Sequence, residues 1–470
     1  MTTVQERRLN PRRQDPRNHL TALLFALTAL LAPAAHAGGV VGTGTAATCN
    51  DATLTAALAG GGVVTFNCGA APVTITVQTS KSIAASTSID GGNLITLSGG
   101  GTQHIFDVGA AVYLGLLNLH ITNGNNGFNS GQAITTVGTS TLHLTNVNVS
   151  ANGAVGGTVA VSALGTTVIE NSTFSANNEG AIGLGAGGNL SVTNSTFSDN
   201  HNTGADGAAI TVTSGTLTVN GCTFLNNSVT TGSFGGGAIY TQGPTTIVNS
   251  TFTGNSHASH EGGAIFSQGA NGSVTLRNVT ISGNTAAAAG GITSSNLTAT
   301  NTIFANNTPA NCGDTSFTSA SYNLSSDASC NFSGTGNLVN VNPLLGALAS
   351  NGGPTQTMAL TAGSPAIDAG SPNASGADAC ATVDQRNAGR PKGPRCDIGA
   401  FEVAGGACTL DVDGNHTIDA LTDGLIIIRA MLGMTGSSVT NAATGSGATR
   451  TTWAQIQPYL NGNCGTSFAP

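Results

Sequence analysis

The chain has 470 residues, 67 of them glycine, with 7% charged and 4% aromatic side chains and a formal net charge of −8 at pH 7. So few charges would ordinarily argue against solubility for a compact globule, and an acidic balance makes nucleic acid and anionic lipid poor partners, since both call for basic surface. Thr, Ser, Asn and Gly keep a surface polar without ions, and Val, Ile and Thr suit strands, so the composition points to an all-β protein with many turns.

Residues 1–37 read as a signal peptide. Arg7, Arg8, Arg12, Arg13 and Arg17 precede the apolar run LTALLFALTALLAPAA, which ends at Ala35-His36-Ala37. A basic stretch, a short apolar run and an A-x-A-like site mark a secretory signal. The run is short for a membrane span and broken by Pro33, leaving a signal anchor as the alternative. Export implies a secreted or cell-surface location, with no membrane-spanning segment once the signal is cleaved. It also implies disulfides among the nine cysteines. Proximity in sequence suggests Cys49–Cys68, Cys312–Cys330, Cys380–Cys396 and Cys408–Cys464. Cys222, inside NGCTF, is left over as a small buried apolar side chain.

After the signal, TCNDATLTAALAGGG has a short helical pattern and suits a cap on whatever follows. From there to about residue 304 the chain repeats itself. An Asn–x–x–Φ–x–x–Asn frame places its apolar residue at Val149, Phe174, Phe197, Phe224, Phe252, Ile281 and Phe304. A Gly–(Gly/Ala)–Ile landmark runs in phase at Ile134, Val159, Ile182, Ile210, Ile239, Ile265 and Ile292. Between them, segments such as LTVNGCTF and NLSVTNSTF alternate apolar and polar, the period of strands, with no helical run. Short strands joined by Gly/Asn/Ser turns at a period of about 25 residues describe a parallel β-helix, one repeat per coil. Ten or eleven coils at about 4.8 Å give a rod of about 50 Å. The Asn columns three residues before and three after the apolar marker are expected to stack as amide ladders. The Phe/Ile column is expected to stack as the core.

The GGAIY-type phrase after NxTFxxN resembles the repeats of polymorphic outer membrane proteins and related bacterial β-helix surface proteins. The resemblance implies a right-handed, pectin lyase-like solenoid over 38–341. Downstream, NPLLGALASNGGPTQTMALTAGSPAIDAG, DQRNAGRP and CDIGAFE resemble a choice-of-anchor Q domain, here residues 342–404, which in that family follows a β-helix in exported proteins. Asn387-Ala388-Gly389 stands where that family commonly has a tighter Arg-Gly turn. An ion pair of Asp397 with Arg386 or Arg390 suits a lock on this C-terminal cap.

Residues 405–470 form a last unit. In TLDVDGNHTIDALTDG, oxygen-bearing residues fall at alternating positions, Asp411, Asp413, Asn415, Thr417 and Asp419, a spacing that folds oxygens around Ca²⁺ with Thr417 offering its carbonyl. Thr422 occupies the usual closing position and Asp423 the next, so Asp423 is the expected closing ligand; His416 stands where such loops usually have Gly. LIIIRAML follows as the exiting helix. The segment resembles a dockerin-type repeat, with GATRTTWAQIQPYL as its second helix. The resemblance implies a calcium-binding helical module with a cohesin-like partner. The alternative is a calcium-stiffened terminus without one.

Many β-helices cleave polysaccharides. A lyase needs carboxylates for calcium and a basic residue for the proton; a glycosidase needs two facing carboxylates. Between residues 110 and 310 there is no Asp-Asp pair, no Gly-His-Gly and a single cationic residue, Arg277. The best cluster is Asp199, His201, Asp206, His257, His260 and Glu261, on loops that stacking would bring to one edge; the plainer reading is that these are exposed loop residues. The sequence therefore points to a surface-associated protein that is adhesive, carbohydrate-facing or scaffolding, its ligand a polysaccharide or another cell-surface group. A polysaccharide lyase or glycoside hydrolase is the rival.

Overall fold

The computed structural model describes residues 38–125, 133–153, 159–185, 187–404, 410–415, 417–463, 466 and 468–469. Residues 1–37 and the expected Cys408–Cys464 pair fall outside that range. The chain winds as a parallel β-solenoid of about 10 turns. In most turns two short strands meet at a sharp bend and belong to one long sheet, while Thr87–Ser98 and Tyr113–Thr122 each run through both positions as a single strand. A third strand belongs to a nine-stranded sheet, and four of the turns add a fourth, two-residue strand.

Alternating patterns become inward and outward faces. Leu190 and Val192 pair with Leu217 and Val219, and all four point inward. The apolar marker forms the expected column: Val149, Phe174, Phe197, Phe224, Phe252, Ile281 and Phe304 are neighbours in register. The rings of Phe174, Phe197, Phe224 and Phe252 lie stacked at 4.9, 5.0 and 4.4 Å. A slip of one residue would turn this column out to solvent, so the core fixes the register. The second landmark needs one correction. Val161, and not Val159, pairs with Ile134 and Ile182. A two-residue displacement keeps the same face of a strand, which is why the pattern alone did not distinguish them.

The two Asn columns do different work. The one after the marker is a continuous buried ladder: Asn152, Asn177, Asn200, Asn227, Asn255, Asn284 and Asn307 each donate from Nδ2 to the next Oδ1, at 2.8–3.0 Å. The column before the marker forms amide-to-amide bonds only at its N-terminal end, where Asn146 Nδ2 donates to Asn93 and Asn118 Oδ1, and not the expected continuous ladder. Asn171, Asn194, Asn249, Asn278 and Asn301 sit at the bend between the two strands with φ of 47–53°. Asn is among the few residues that tolerate this left-handed conformation, and Gly221 takes the place in the remaining coil with φ 70°. The next residue forms a ladder of its own: Ser172 accepts from the Val147 N–H, Ser195 from Ser172, Cys222 from Ser195, and Ser250 from Cys222. Cys222 thus substitutes for a serine, buried, with its thiol pushed up to about 12 by burial.

The ends are closed differently. Helix α1 (Asp51–Leu58) caps the first coil, started by a reciprocal Asn50–Thr53 capping box, and buries Leu54 and Ala57. Its Asp51 pairs with Lys81 at 2.5 Å. Disulfides Cys49–Cys68 and Cys312–Cys330 brace the two ends of the rod, and Cys380–Cys396 lies in the following segment.

That following segment is more than an end cap: it runs back along the flank of the rod as a strap. Thr355 donates to the Gly221 carbonyl, Gln385 reaches the Cys222 carbonyl and the Thr223 and Thr251 hydroxyls, and Ala400 donates to Thr280. Further along, Leu360, Ala366 and Ile398 pack on the outward-facing Ile303 and Leu324. The strap's ion pairs differ from the expected one. Arg390 pairs with Glu402 at 2.8 Å and Arg386 with Asp384 at 2.6 Å. The Asp397 carboxylate instead accepts the Asp368 and Val403 N–H groups, because Arg390 offers its guanidinium to the Asp397 and Gly399 carbonyls.

The terminal unit contains helices α2 (Asp423–Met431), α3 (Ser437–Thr440) and α4 (Trp453–Asn463) around Val412, Ile426, Val439, Trp453, Ile456 and Leu460. Among the described residues no helix is long and apolar enough to cross a membrane.

Candidate functional site

Each strand of the nine-stranded sheet carries one outward residue per coil. In successive coils this is Ser162, Gly183, Thr211, Tyr240, Phe266 and Thr293. Two adjacent coils thus replace small residues with aromatics. Phe234, from the loop before Tyr240, extends the row, with ring centroids 5.8 Å (Phe234–Tyr240) and 6.2 Å (Tyr240–Phe266) apart. Phe234 is 47% exposed. A groove of about 450 Å³ runs beside this row, lined by Phe234, His260, Glu261, Phe266, Gln268 and Asp314. Gln268 is oriented by its bond to the Tyr240 hydroxyl at 2.7 Å. Aromatic faces with amide and carboxylate groups at their rim make a surface that is apolar in the middle and hydrogen-bonding at the edge.

Of the six residues singled out for catalysis, Glu261 and His260 reach this groove. Asp206 and His257 meet each other instead, with Nε2 3.4 Å from Oδ1, and both are buried. The His260 N–H donates to His257 Nδ1 at 3.0 Å, leaving Nε2 to carry the proton toward Asp206. Burial alone would raise the Asp206 carboxyl, but His257 and the Phe234 and Gly235 N–H groups outweigh it and hold the pKa below its ordinary value. Those N–H groups lie 3.0 and 3.1 Å away, so Asp206 tethers the loop that presents Phe234. Glu179 holds the comparable place and accepts the Thr203 N–H at 3.0 Å. These two acids therefore bind one coil's loop to the next. His201 lies between the Ser228 and Thr230 hydroxyls, and the exposed Asp199 takes the Asn226 amide.

Sequence reasoning passed over Phe234, Phe266 and Asp314. The signal for Phe266 was legible: GGAIY and GGAIF place Tyr240 and Phe266 one residue past the buried isoleucine, where other coils have Thr, Ser or Gly, whereas Phe234 stands in the loop before Ile239 and carries no such mark. Asp314 had none, because only the stacking of coils brings it beside Glu261.

In the terminal unit, carboxylate oxygens of Asp411, Asp413 and Asp423 lie within 4.8 Å of one another. Asp413 and Asp423 are buried. Asp423 is fixed at the start of α2 by the Val412, Asp413 and Asp419 N–H groups. Gly445, from the loop before α4, donates to Asp413 at 2.5 Å. Asn415 and Asp419 turn to the Thr417 and Leu421 N–H groups. His416 lies outside the described residues. Arg450 is near, but its guanidinium bonds to the Val412 and Asp411 carbonyls and stacks on Tyr459. Like charges this close repel by about 3 kcal/mol per pair at an effective dielectric of about 20. A group of hard oxygen donors of this kind, two of the three carboxylates buried, fits a divalent cation.

A family model described as a right handed beta helix region matches residues 82–252. No curated protein and no solved structure matches the chain.

Proposed function

We propose that this is an exported, surface-associated protein whose solenoid binds carbohydrate through the aromatic row of the nine-stranded sheet. Phe234 and Phe266 would lie against the C–H faces of sugar rings, while Glu261, Asp314 and Gln268 take their hydroxyls. The observation that carries this reading is the exposed Phe234 in a groove edged by two carboxylates. The signal-like residues 1–37, the polymorphic-membrane-protein-like repeats and the choice-of-anchor Q-like segment 342–404 support a secreted or cell-surface setting.

The dockerin-like unit 405–470 would bind Ca²⁺ through Asp411, Asp413 and Asp423, joined by Asn415, the Thr417 carbonyl and Asp419. Calcium there neutralises the carboxylates and holds α2 against α4. Ile428, Met431 and Leu432 form an exposed apolar stripe on and just past α2, and support a cohesin-like protein partner for this module.

Incubation with a panel of neutral and acidic polysaccharides tests the first reading. Binding that falls at least tenfold in Phe234→Ala and Phe266→Ala, without product, supports a carbohydrate-binding surface protein. Unsaturated or reducing ends that disappear in Glu261→Gln or Asp314→Asn would replace it with the lyase or hydrolase reading, for which two carboxylates on one groove are the supporting feature. No binding by any polysaccharide would overturn both.

A further inference from the structure

The strap that closes the C-terminal half of the rod shows what the flank beneath it recognises. At the bend positions, Asn278 Oδ1 accepts the Ala381 N–H at 2.9 Å and Asn301 Oδ1 accepts the Ser371 N–H at 2.8 Å. Their Nδ2 groups face the Asp397 and Asp378 carbonyls at 3.4 Å. Two residues further on, Thr223 donates to the Gln356 carbonyl at 2.6 Å and Thr280 accepts the Ala400 N–H at 3.0 Å. The flank thus reads main-chain amides, through an Asn at the left-handed bend and a Thr just after it. Arg277 adds the one cationic contact, its Nη2 lying 3.5 Å from the Ala377 carbonyl.

The strap ends at the coil of Gly221 and Thr223, but the surface it covers does not. The same bend column continues toward the N-terminus as Asn194, Asn171, Asn146 and Asn118, with φ of 50–54°. The same outward strand column continues as Thr196, Thr173, Asn148 and His120, each paired in register with the next. The coverage changes abruptly. Thr223, Thr251 and Thr280 are buried under the strap, whereas Thr173 is half-buried and Asn148 and Asn171 are exposed. The uncovered stretch forms a groove of about 340 Å³ with no Asp, Glu, Lys or Arg in its lining. His120, its one titratable side chain, is pushed toward the neutral form by burial, and its Nε2 is bonded to Ser150 at 2.6 Å.

We propose that this open half of the flank is a docking groove for an extended, uncharged polypeptide segment of a partner protein, held as the chain holds its own strap. Partner main-chain N–H and C=O groups bond the amides of Asn118, Asn146 and Asn171, while Asn148 and Thr173 take the place of Thr223 and Thr280. The coil of Asn194 and Thr196 stands between the end of the strap and the groove, so a bound segment lies in line with the strap along the same columns of the rod. Absence of charge in the groove disfavours acidic and basic segments, whose ions would lose water without gaining a partner. The neighbouring amides already bond to one another, Asn146 Nδ2 to Asn93 and Asn118 Oδ1 at 2.8 Å. A ligand exchanges these bonds, so affinity is modest and specificity comes from shape and neutrality.

The test uses the full chain and an array of overlapping 12-residue peptides copied from residues 342–404, with charge-substituted versions and neutral cello- and malto-oligosaccharides as competitors. The expected result is binding by uncharged peptides and at least tenfold slower amide exchange confined to residues 93–96, 118–120, 146–148 and 171–173. Asn148→Lys and Thr173→Lys, at outward positions that do not touch the core, should each weaken it at least tenfold. Ser162→Lys, on the nine-stranded sheet, should not. The proposal is overturned if no peptide binds at millimolar concentration, if protection appears elsewhere, or if the oligosaccharides and not the peptides protect the groove. A carbohydrate reading of the aromatic row stands or falls separately, since it places its ligand on the other sheet.

Discussion

Replacing Asn255 by alanine separates the two Asn columns. Asn255 Oδ1 accepts both the backbone N–H and the side-chain Nδ2 of Asn227, at 3.0 and 2.9 Å, and its own Nδ2 donates to Asn284 and to the Phe224 carbonyl. Alanine leaves the two Asn227 donors buried without an acceptor. At about 1–3 kcal/mol for each stranded group the loss is about 2–6 kcal/mol, against a total of about 5–15 kcal/mol for a typical domain. Asn171→Ala makes the contrast. Its side chain is exposed, and alanine there meets only the left-handed backbone, worth about 1–2 kcal/mol; Asn171→Gly should be close to neutral. Urea unfolding gives the totals, and hydrogen exchange at the Asn227 amide localises the effect, since a solenoid can open coil by coil. The reasoning fails if Asn255→Ala lowers stability by less than about 1 kcal/mol, or by no more than Asn171→Ala does.

Burial and the neighbouring Glu402 raise Asp397 from 3.8 to about 7, and burial raises Glu402 and Asp368 in the same direction. The folded strap therefore binds more protons than the unfolded chain between about pH 4 and pH 7, so its stability falls as pH rises through that window. Amide exchange across residues 366–403 should quicken from pH 5 to pH 8 beyond the intrinsic rate, and Asp397→Asn should flatten the change. Calcium at about a hundredfold above its dissociation constant should stabilise the terminal helices by about 2.7 kcal/mol. Calorimetric titration reads the binding, and a chelator or Asp423→Asn should abolish both effects. Cys222→Ser restores the serine ladder of its neighbours and should change stability by less than about 1 kcal/mol. In the native chain Cys222 should resist iodoacetamide until unfolding, because its thiol is buried and pushed up to about 12.

The solenoid was legible because its core is periodic in sequence: the same position in each coil must be apolar for Phe174 to rest on Phe197. The N-terminal helix and the three described disulfides were legible for a related reason, since each joins residues close in sequence. The strap was not. Its contacts join Gln385 to Cys222 and Asn278 to Ala381, far apart in the chain and made largely through main-chain groups that carry no side-chain signature. Nor did the spacing distinguish the ladder Asn from the bend Asn. Both recur once per coil, and what separates them is backbone conformation.

This division bears on where binding specificity can arise in such a rod. Inward positions are fixed by stacking: a change at Phe224 disturbs Phe197 and Phe252 together. Outward positions are free to differ from coil to coil, and here they do so in two places. On the nine-stranded sheet, Tyr240 and Phe266 interrupt a run of Thr, Ser and Gly. On the flank, Thr gives way to Ile303 and Leu324 where the strap's apolar core settles, and to Asn148 and His120 where it is absent. Departures from the repeat on the outer faces therefore mark where the strap settles and where the proposed ligands would bind. The repeat itself explains only why they are held about 4.8 Å apart along a rigid edge.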